Sequence, residues 1–169
     1  MKDDRYIYLV EGDCEKKLIE VLKEQKNLIV SGKVYRINVI QEHLSETFLR
    51  TFLDNTIVIL VFDTDTDNNT ILFKNIQTLS RHQKIKDIWY VIQVENLEDE
   101  IVKSTDLSDA KALIGCTGSK EYKHYFIKEK NLYDKLLKHH FDMSKIWITD
   151  PKGAFKRLKN EGFRIKRSE

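Results

Sequence analysis

From Thr56 to Phe62 (Thr-Ile-Val-Ile-Leu-Val-Phe) the chain is apolar with no polar alternation, and the run ends on Asp63-Thr64-Asp65. A strand apolar at every position is buried on both faces, as in a parallel sheet covered by helices. Tyr6-Ile7-Tyr8-Leu9-Val10 has the same character and runs into Glu11-Gly12; Ile88 to Val94 is a third such run. Between them lie segments of helical period. Cys14 to Lys23 places apolar residues at 18, 19, 21 and 22, with Asp13 as N-cap. Ser45 to Leu53 carries Phe48, Leu49, Phe52 and Leu53 on one face, and 69–80 continues the alternation. Ser31-Gly32 signals a turn, and the alternating run from Val34 to Ile40 predicts a further strand. Strands and helices in this order predict an α/β fold: a mostly parallel sheet with helices on both faces.

After Asn96 the pattern becomes helical. Leu97–Lys103, Asp109–Leu113, Lys120–Lys130 and Leu132–His140 are predicted helices, broken by Gly115 to Ser119. Ile146-Trp147-Ile148 predicts a short strand, and a last helix follows Pro151 over Ala154–Lys159. The expectation is one domain over 1–169, with a sheet core at about 5–95 and a helical elaboration with a basic tail over about 96–169. Neither an internal repeat nor a low-complexity linker interrupts it.

Composition narrows the class. The chain has 169 residues, 41% hydrophobic and 33% charged, the balance of a globular domain with a core of its own. No apolar run approaches the roughly 20 residues of a membrane span, so no membrane partner is expected. The start, Met-Lys-Asp-Asp, is acidic where an export signal is basic, and Cys14 and Cys116 lack metal-ligand spacing. Both features predict a cytoplasmic protein with reduced thiols. The formal charge of +2 is uneven: Lys152 to Glu169 holds seven Lys or Arg against two Glu, +5, leaving −3 for the first 151 residues. A basic end on an acidic body suits a polyanion partner, nucleic acid above all, and equally a solvated helix face.

The chemistry concentrates at the strand ends. Glu11 and the Asp63/Asp65 pair each sit just past the carboxyl end of a buried strand, where open α/β sheets bind ligands. Mg²⁺ takes a few carboxylate oxygens and completes its shell with water and phosphate. Unneutralised, clustered acids raise one another's pKa. The competing reading is a polar loop over residues 63–66, with Asp67-Asn68 capping the next helix.

Tyr8-Leu9-Val10-Glu11-Gly12 followed by a helix, and then Val58-Ile59-Leu60-Val61-Phe62-Asp63-Thr64-Asp65, resembles the Toprim domain of type IA and II topoisomerases, bacterial primases and small or defence-associated nucleases. The resemblance covers about residues 5–95 and rests on two short motifs. It implies Glu11 as the motif glutamate and Asp63 and Asp65 as metal ligands, with Mg²⁺ as cofactor and Mn²⁺ as its substitute. The glycine that many members carry soon after the second aspartate is replaced here by Asp67-Asn68-Asn69. The chain also lacks the tyrosine context and extra domains of strand-passage and priming enzymes. Glu95-Asn96-Leu97-Glu98-Asp99-Glu100 is similar in position to the extra acid of Toprim nucleases of the overcoming-lysogenisation-defect type. Glu98 is the preferred additional ligand and Glu95 its rival, against a reading as an acidic helix start. The likeness also leaves room for a partner ATPase or a homo-oligomer.

Further along, Lys120 and Lys123 lie on one predicted helix with His124, Tyr122 and Tyr125. Lysines there would offset charge on a cleaved phosphate, as Lys152 also would, and a tyrosine would stack on a base; alternatively the aromatics belong to the core. His139-His140 suits a helix C-terminus. Other motifs fail. An EF-hand loop opening at Asp63 would have Asn68 for its glycine and Lys74 for its glutamate. A haloacid-dehalogenase reading meets Asp67 where Thr or Val is usual, a receiver lacks its hydroxyl after Val94, and no Walker loop occurs. The function expected is Mg²⁺-dependent hydrolysis of nucleic-acid phosphodiesters, in phage defence or a mobile element, with catalytic residues Glu11, Asp63, Asp65, Lys120 and Lys123. The alternative is a non-catalytic nucleic-acid-binding or regulatory module.

Overall fold

The structure, a computed structural model, describes residues 3–167. Four strands, β1 (Arg5–Val10), β2 (Lys33–Arg36), β3 (Thr56–Asp63) and β4 (Ile85–Gln93), form one sheet in the order β2-β1-β3-β4. Every pairing is parallel. The register sets Val10 beside Val61 and Asp63 beside Gln93, so the carboxyl ends of β1, β3 and β4 form one rim.

Successive side chains of the central strands feed two cores. Tyr8, Val10, Ile59, Val61 and Val91 pack on one face with Leu18, Ile19, Ile101 and Phe126, from helices α1 (Asp13–Glu20), α4 (Leu97–Ser104) and α5 (Ser119–Lys128). Ile7, Leu9, Val58, Leu60 and Phe62 pack on the other with Leu49, Leu72 and Leu79, from α2 (Glu46–Leu49) and α3 (Thr70–Ser80). Period-two alternation thus delivers an apolar side chain to each face, and both are filled. A sixth helix, α6 (Leu132–Lys138), joins the first core through Leu132 and Leu136. No helix is long and apolar enough to cross a membrane among the described residues.

Local chemistry revises several elements. The first helix is capped by Gly12, without a side-chain bond, and runs on as a π-turn over Val21–Gln25. Asp13 is therefore the first helical residue, and its carboxylate meets Arg36 at 2.7 Å. The second strand stops at Arg36 because Asn38 folds the chain back: its Oδ1 accepts from the N–H of Ile40 and of Gln41. The helix expected over Ser45–Leu53 is a single turn capped by Ser45, with Leu53 in solvent.

The short strand expected at Ile146–Ile148 does not form. Trp147 has φ +56° and donates its N–H to Glu100 Oε2 at 2.8 Å. Gly162 packs so tightly on Trp147 that a Cβ would collide with its backbone oxygen. The helix expected over Ala154–Lys159 reduces to a 3₁₀ turn, Gly153–Phe155, and a second 3₁₀ turn, Gly162–Arg164, follows beyond it. This irregular segment closes the free edge of β4. Asn160 donates to and accepts from the backbone of Ile92 (2.7 and 3.2 Å), and Glu161 does the same for Tyr90 (2.7 and 3.1 Å). An edge covered in this way offers no template for strand addition. Three of the tail's bases are engaged in the fold: Arg164 bonds Asp87 and Glu161, Lys166 the carbonyl of Ile146, and Arg167 Asn27, while Lys152, Lys156, Arg157 and Lys159 stand exposed.

Candidate metal centre

The chain leaves β1 for α1 on one face of the sheet, and β3 for α3 on the other. The crevice between β1 and β3 is therefore the topological switch point, the place where open parallel sheets take ligands. Glu11 and Asp63 stand on its two sides. Glu11 Oε2 accepts the backbone N–H of Asp63 at 3.1 Å, and Oε1 accepts Asn38 Nδ2 at 3.1 Å. Each oxygen keeps a lone pair.

Asp63 is the most strained carboxyl of the group. Its residue is half-buried, but Oδ1 is fully enclosed and has no hydrogen-bond partner. Burial, with the charges of Glu11, Glu15, Asp65 and Glu98 adding to it, pushes its pKa up to about 9. Glu15, one helical turn after Glu11, is also buried, and burial raises it to about 7, with Glu11 and Glu98 contributing. A Cβ at residue 12 would lie 2.9 Å from Glu15 Oε2, so the glycine admits this carboxylate to the rim.

Two clefts meet at Asp65. One, of about 330 Å³, is bordered by Glu11, Gln41, Asp65 and Asn68. The other, of about 320 Å³, is bordered by Asp63, Asp65, Glu98, Lys111, Tyr122 and Lys123. Thr64 ties the loops together, donating its N–H to the carbonyls of Gln93 and Glu95 (3.2 and 3.1 Å) and accepting the Glu95 N–H at 2.9 Å. Asn96 caps α4 through the N–H of Asp99, which sets Glu98 in the first turn beside the cleft. The neighbouring acids diverge: Glu95 is exposed with φ +70°, and Glu100 is fully buried in the fold.

Unpartnered polarity surrounds Asp63. Gln93, its cross-strand neighbour on the same face, is fully buried with neither amide atom bonded, and the Tyr122 hydroxyl is likewise buried and unpaired. Burial and the charge of Glu98 push the Tyr122 phenol well above its usual range, so it stays a neutral hydroxyl with a proton to donate. Burial, then Glu15 and Glu98, raises the Cys14 thiol to about 12, which leaves it inert; its sulfur lies 3.9 Å from the carbonyl of Lys123, where α1 meets α5.

Glu11, Asp63, Asp65, Glu98 and Lys123 thus border one crevice system, while Lys120 stands exposed on α5 and borders neither cleft. Lys152 is exposed and likewise borders neither. Sequence reasoning missed Glu15, Gln93 and Lys111. Glu15 carried a signal, its spacing of four from Glu11 in a first helical turn, whereas Gln93 and Lys111 depend on cross-strand register and loop path. Among the described residues no three His, Cys, Asp or Glu side chains converge into a ready cation cage, so the acids share a field and not yet a coordination sphere. The donor set nonetheless suits a hard cation, being all oxygen, with an orphaned buried carboxylate oxygen at its centre. Comparison with protein-family models, with curated proteins and with solved structures finds no match.

Proposed function

We propose that this chain is a divalent-metal-dependent phosphodiesterase acting on nucleic acid, with a Toprim-like site at the β1/β3 switch point. The observation that carries this reading is Asp63: a carboxyl with one oxygen enclosed and unpartnered, amid the charges of four other carboxyl groups. Such an arrangement is costly for the protein alone, and a cation relieves it. Asp63, Asp65 and Glu98 would hold Mg²⁺ or Mn²⁺, with Glu11 reaching it from the β1 side. When bound, the ion polarises the scissile phosphate and lowers the pKa of a water nucleophile. Lys123, the cleft's cation on α5, offsets the charge that builds on the phosphate oxygens, and Lys111, paired with Asp109 at 3.6 Å, borders the same space. Glu11 fixes the Asp63 backbone, so the acids of both strands move as one unit.

The test is a cleavage panel of tRNA, rRNA, plasmid and single-stranded DNA in Mg²⁺ or Mn²⁺. Cleavage by the wild type and its loss in Glu11→Ala and Asp63→Ala is the expected result; no cleavage of any substrate contradicts the proposal.

One observation favours a second reading, a non-catalytic nucleic-acid-binding or regulatory module. Both Glu11 oxygens already accept hydrogen bonds within the fold, the role of a buckle between strands. That reading predicts nucleic-acid affinity that survives Asp63→Ala and needs no metal.

A further inference from the structure

Helix α5 is a wall between two clefts. Its residues advance by about 100° each, so Ser119 and Lys123 look into the acid cleft, and Tyr122 and Phe126 into the core. Tyr125 and Lys128 look the other way, into a second, shallower cleft of about 510 Å³. Between them the solvent-facing crest carries Lys120, His124 and Ile127, all exposed. A helix is roughly 10–12 Å across, so the two clefts are a short step apart.

The second cleft has the makings of a base-binding surface. Tyr125 is 49% exposed, unusual for so large a ring, and His124 meets it edge-on at 5.2 Å. Lys128 Nζ lies 3.0 Å from His124 Nε2, so the imidazole stands between the lysine and the tyrosine ring. Glu129 is neutralised by Lys135 at 2.8 Å, so Glu121 is the other acid of this cleft, beside Lys128 and Lys130. A cationic crest ending on a half-exposed tyrosine complements a phosphate chain with an unstacked base.

We propose that the Tyr125 cleft is a nucleobase subsite for single-stranded nucleic acid, with the backbone crossing α5 along Lys128, Lys120 and Lys123 into the acid cleft. This rests on reading the acid cleft as a phosphodiester site. Base pairing and stacking in a duplex cover the faces that Tyr125 needs, so the substrate selected is single-stranded or frayed.

Fluorescence anisotropy of fluorescein-labelled oligothymidine, oligouridine and a fully paired hairpin, in EDTA and in Ca²⁺, tests the subsite apart from cleavage. Wild type is expected to prefer the single strands. Tyr125→Ala should weaken that binding roughly 5- to 150-fold, the equivalent of stacking one base, while Tyr125→Phe retains it. Lys128→Gln should lower the slope of log K against log salt by about 0.7. Both positions are exposed, and unchanged melting temperatures confirm intact folding. Equal affinity for the hairpin, no binding, or indifference to Tyr125→Ala overturns the subsite. If wild type binds through Tyr125 yet cleaves nothing, hydrolysis falls and the subsite stands; cleavage indifferent to Tyr125 gives the reverse.

Discussion

Asp63 and Asp87 lie on adjacent strands of one sheet and live under opposite regimes. At the amino-terminal end of β4, Asp87 resists the pull of desolvation through bonds from the Trp89 indole (2.8 Å), the Ile88 N–H (2.9 Å) and Arg164 (2.7 Å), and its pKa is lowered. Arg164 in turn stacks over the Trp89 ring at 4.4 Å. At the carboxyl end of β3, Asp63 has an orphaned oxygen and the charges of four other acids raising its pKa. Glu98 and Glu100 repeat the contrast two residues apart. Glu100 satisfies the N–H of Val94 and of Trp147 and pairs with Lys103 at 3.2 Å, whereas Glu98 borders the cleft. In both pairs the acid that holds the fold, Asp87 or Glu100, is matched, and the acid at the cleft is left for a ligand.

The sharpest way to break this comparison is Asp63→Asn. It should abolish metal-dependent cleavage while raising the metal-free melting temperature by roughly 3–8 °C, since each kcal/mol is worth about 2–4 °C in a domain this size. Calorimetry and a cleavage assay on the same preparation check both halves. Next comes the Glu98/Glu100 pair. Glu100→Ala strands the buried Trp147 N–H and the partly buried Val94 N–H and should cost about 3–5 kcal/mol on denaturant unfolding. Glu98→Gln should leave stability within about 0.5 kcal/mol and weaken Mn²⁺ binding roughly 10- to 100-fold.

The pH dependence has a definite sign. Asp63, raised to about 9, and Glu15, raised to about 7, contribute most stability below the unfolded carboxylate values near 4. That contribution is lost as pH rises through 7 and on to 9. Asp87 and Asp106, both lowered, act oppositely, and their contribution is lost only as pH falls below about 4. Metal-free protein should therefore melt progressively lower from pH 5 to 9, and Mn²⁺ should flatten the trend; unfolding curves across pH, with and without Mn²⁺, check this. The smallest effect expected is Tyr122→Phe. Its hydroxyl has no partner, so the metal-free melting temperature should hold or rise slightly, where loss of a structural hydrogen bond would lower it.

The sheet was legible because Tyr6–Val10 and Thr56–Phe62 carry apolar residues at both parities, a pattern that only burial on two faces explains. Glu11, Asp63 and Asp65 were legible for a related reason: the end of a buried strand is a fixed address. Contacts distant in sequence were not legible. Trp147 sits in a turn because Glu100, 47 residues earlier, takes its N–H. Within the basic tail, Arg164 serves Asp87, 77 residues away, a pairing that charge counting does not supply. Asn38 ended its strand through Asx bonding, a local signal that the alternation of Val34 to Ile40 masked. His139 and His140 both turn their Nδ1 atoms to Asp106, at 3.1 and 2.6 Å, a pairing that no helix-end argument supplies.

The central claim is that the enclosed Asp63 carboxyl exchanges its proton for a cation. Titration calorimetry of Mn²⁺ into the metal-free protein at neutral pH, repeated in buffers of different ionisation enthalpy, counts that proton directly. About one proton released per ion, and its disappearance in Asp63→Asn, is the result predicted. Binding with no proton release, or no binding at all, would contradict it.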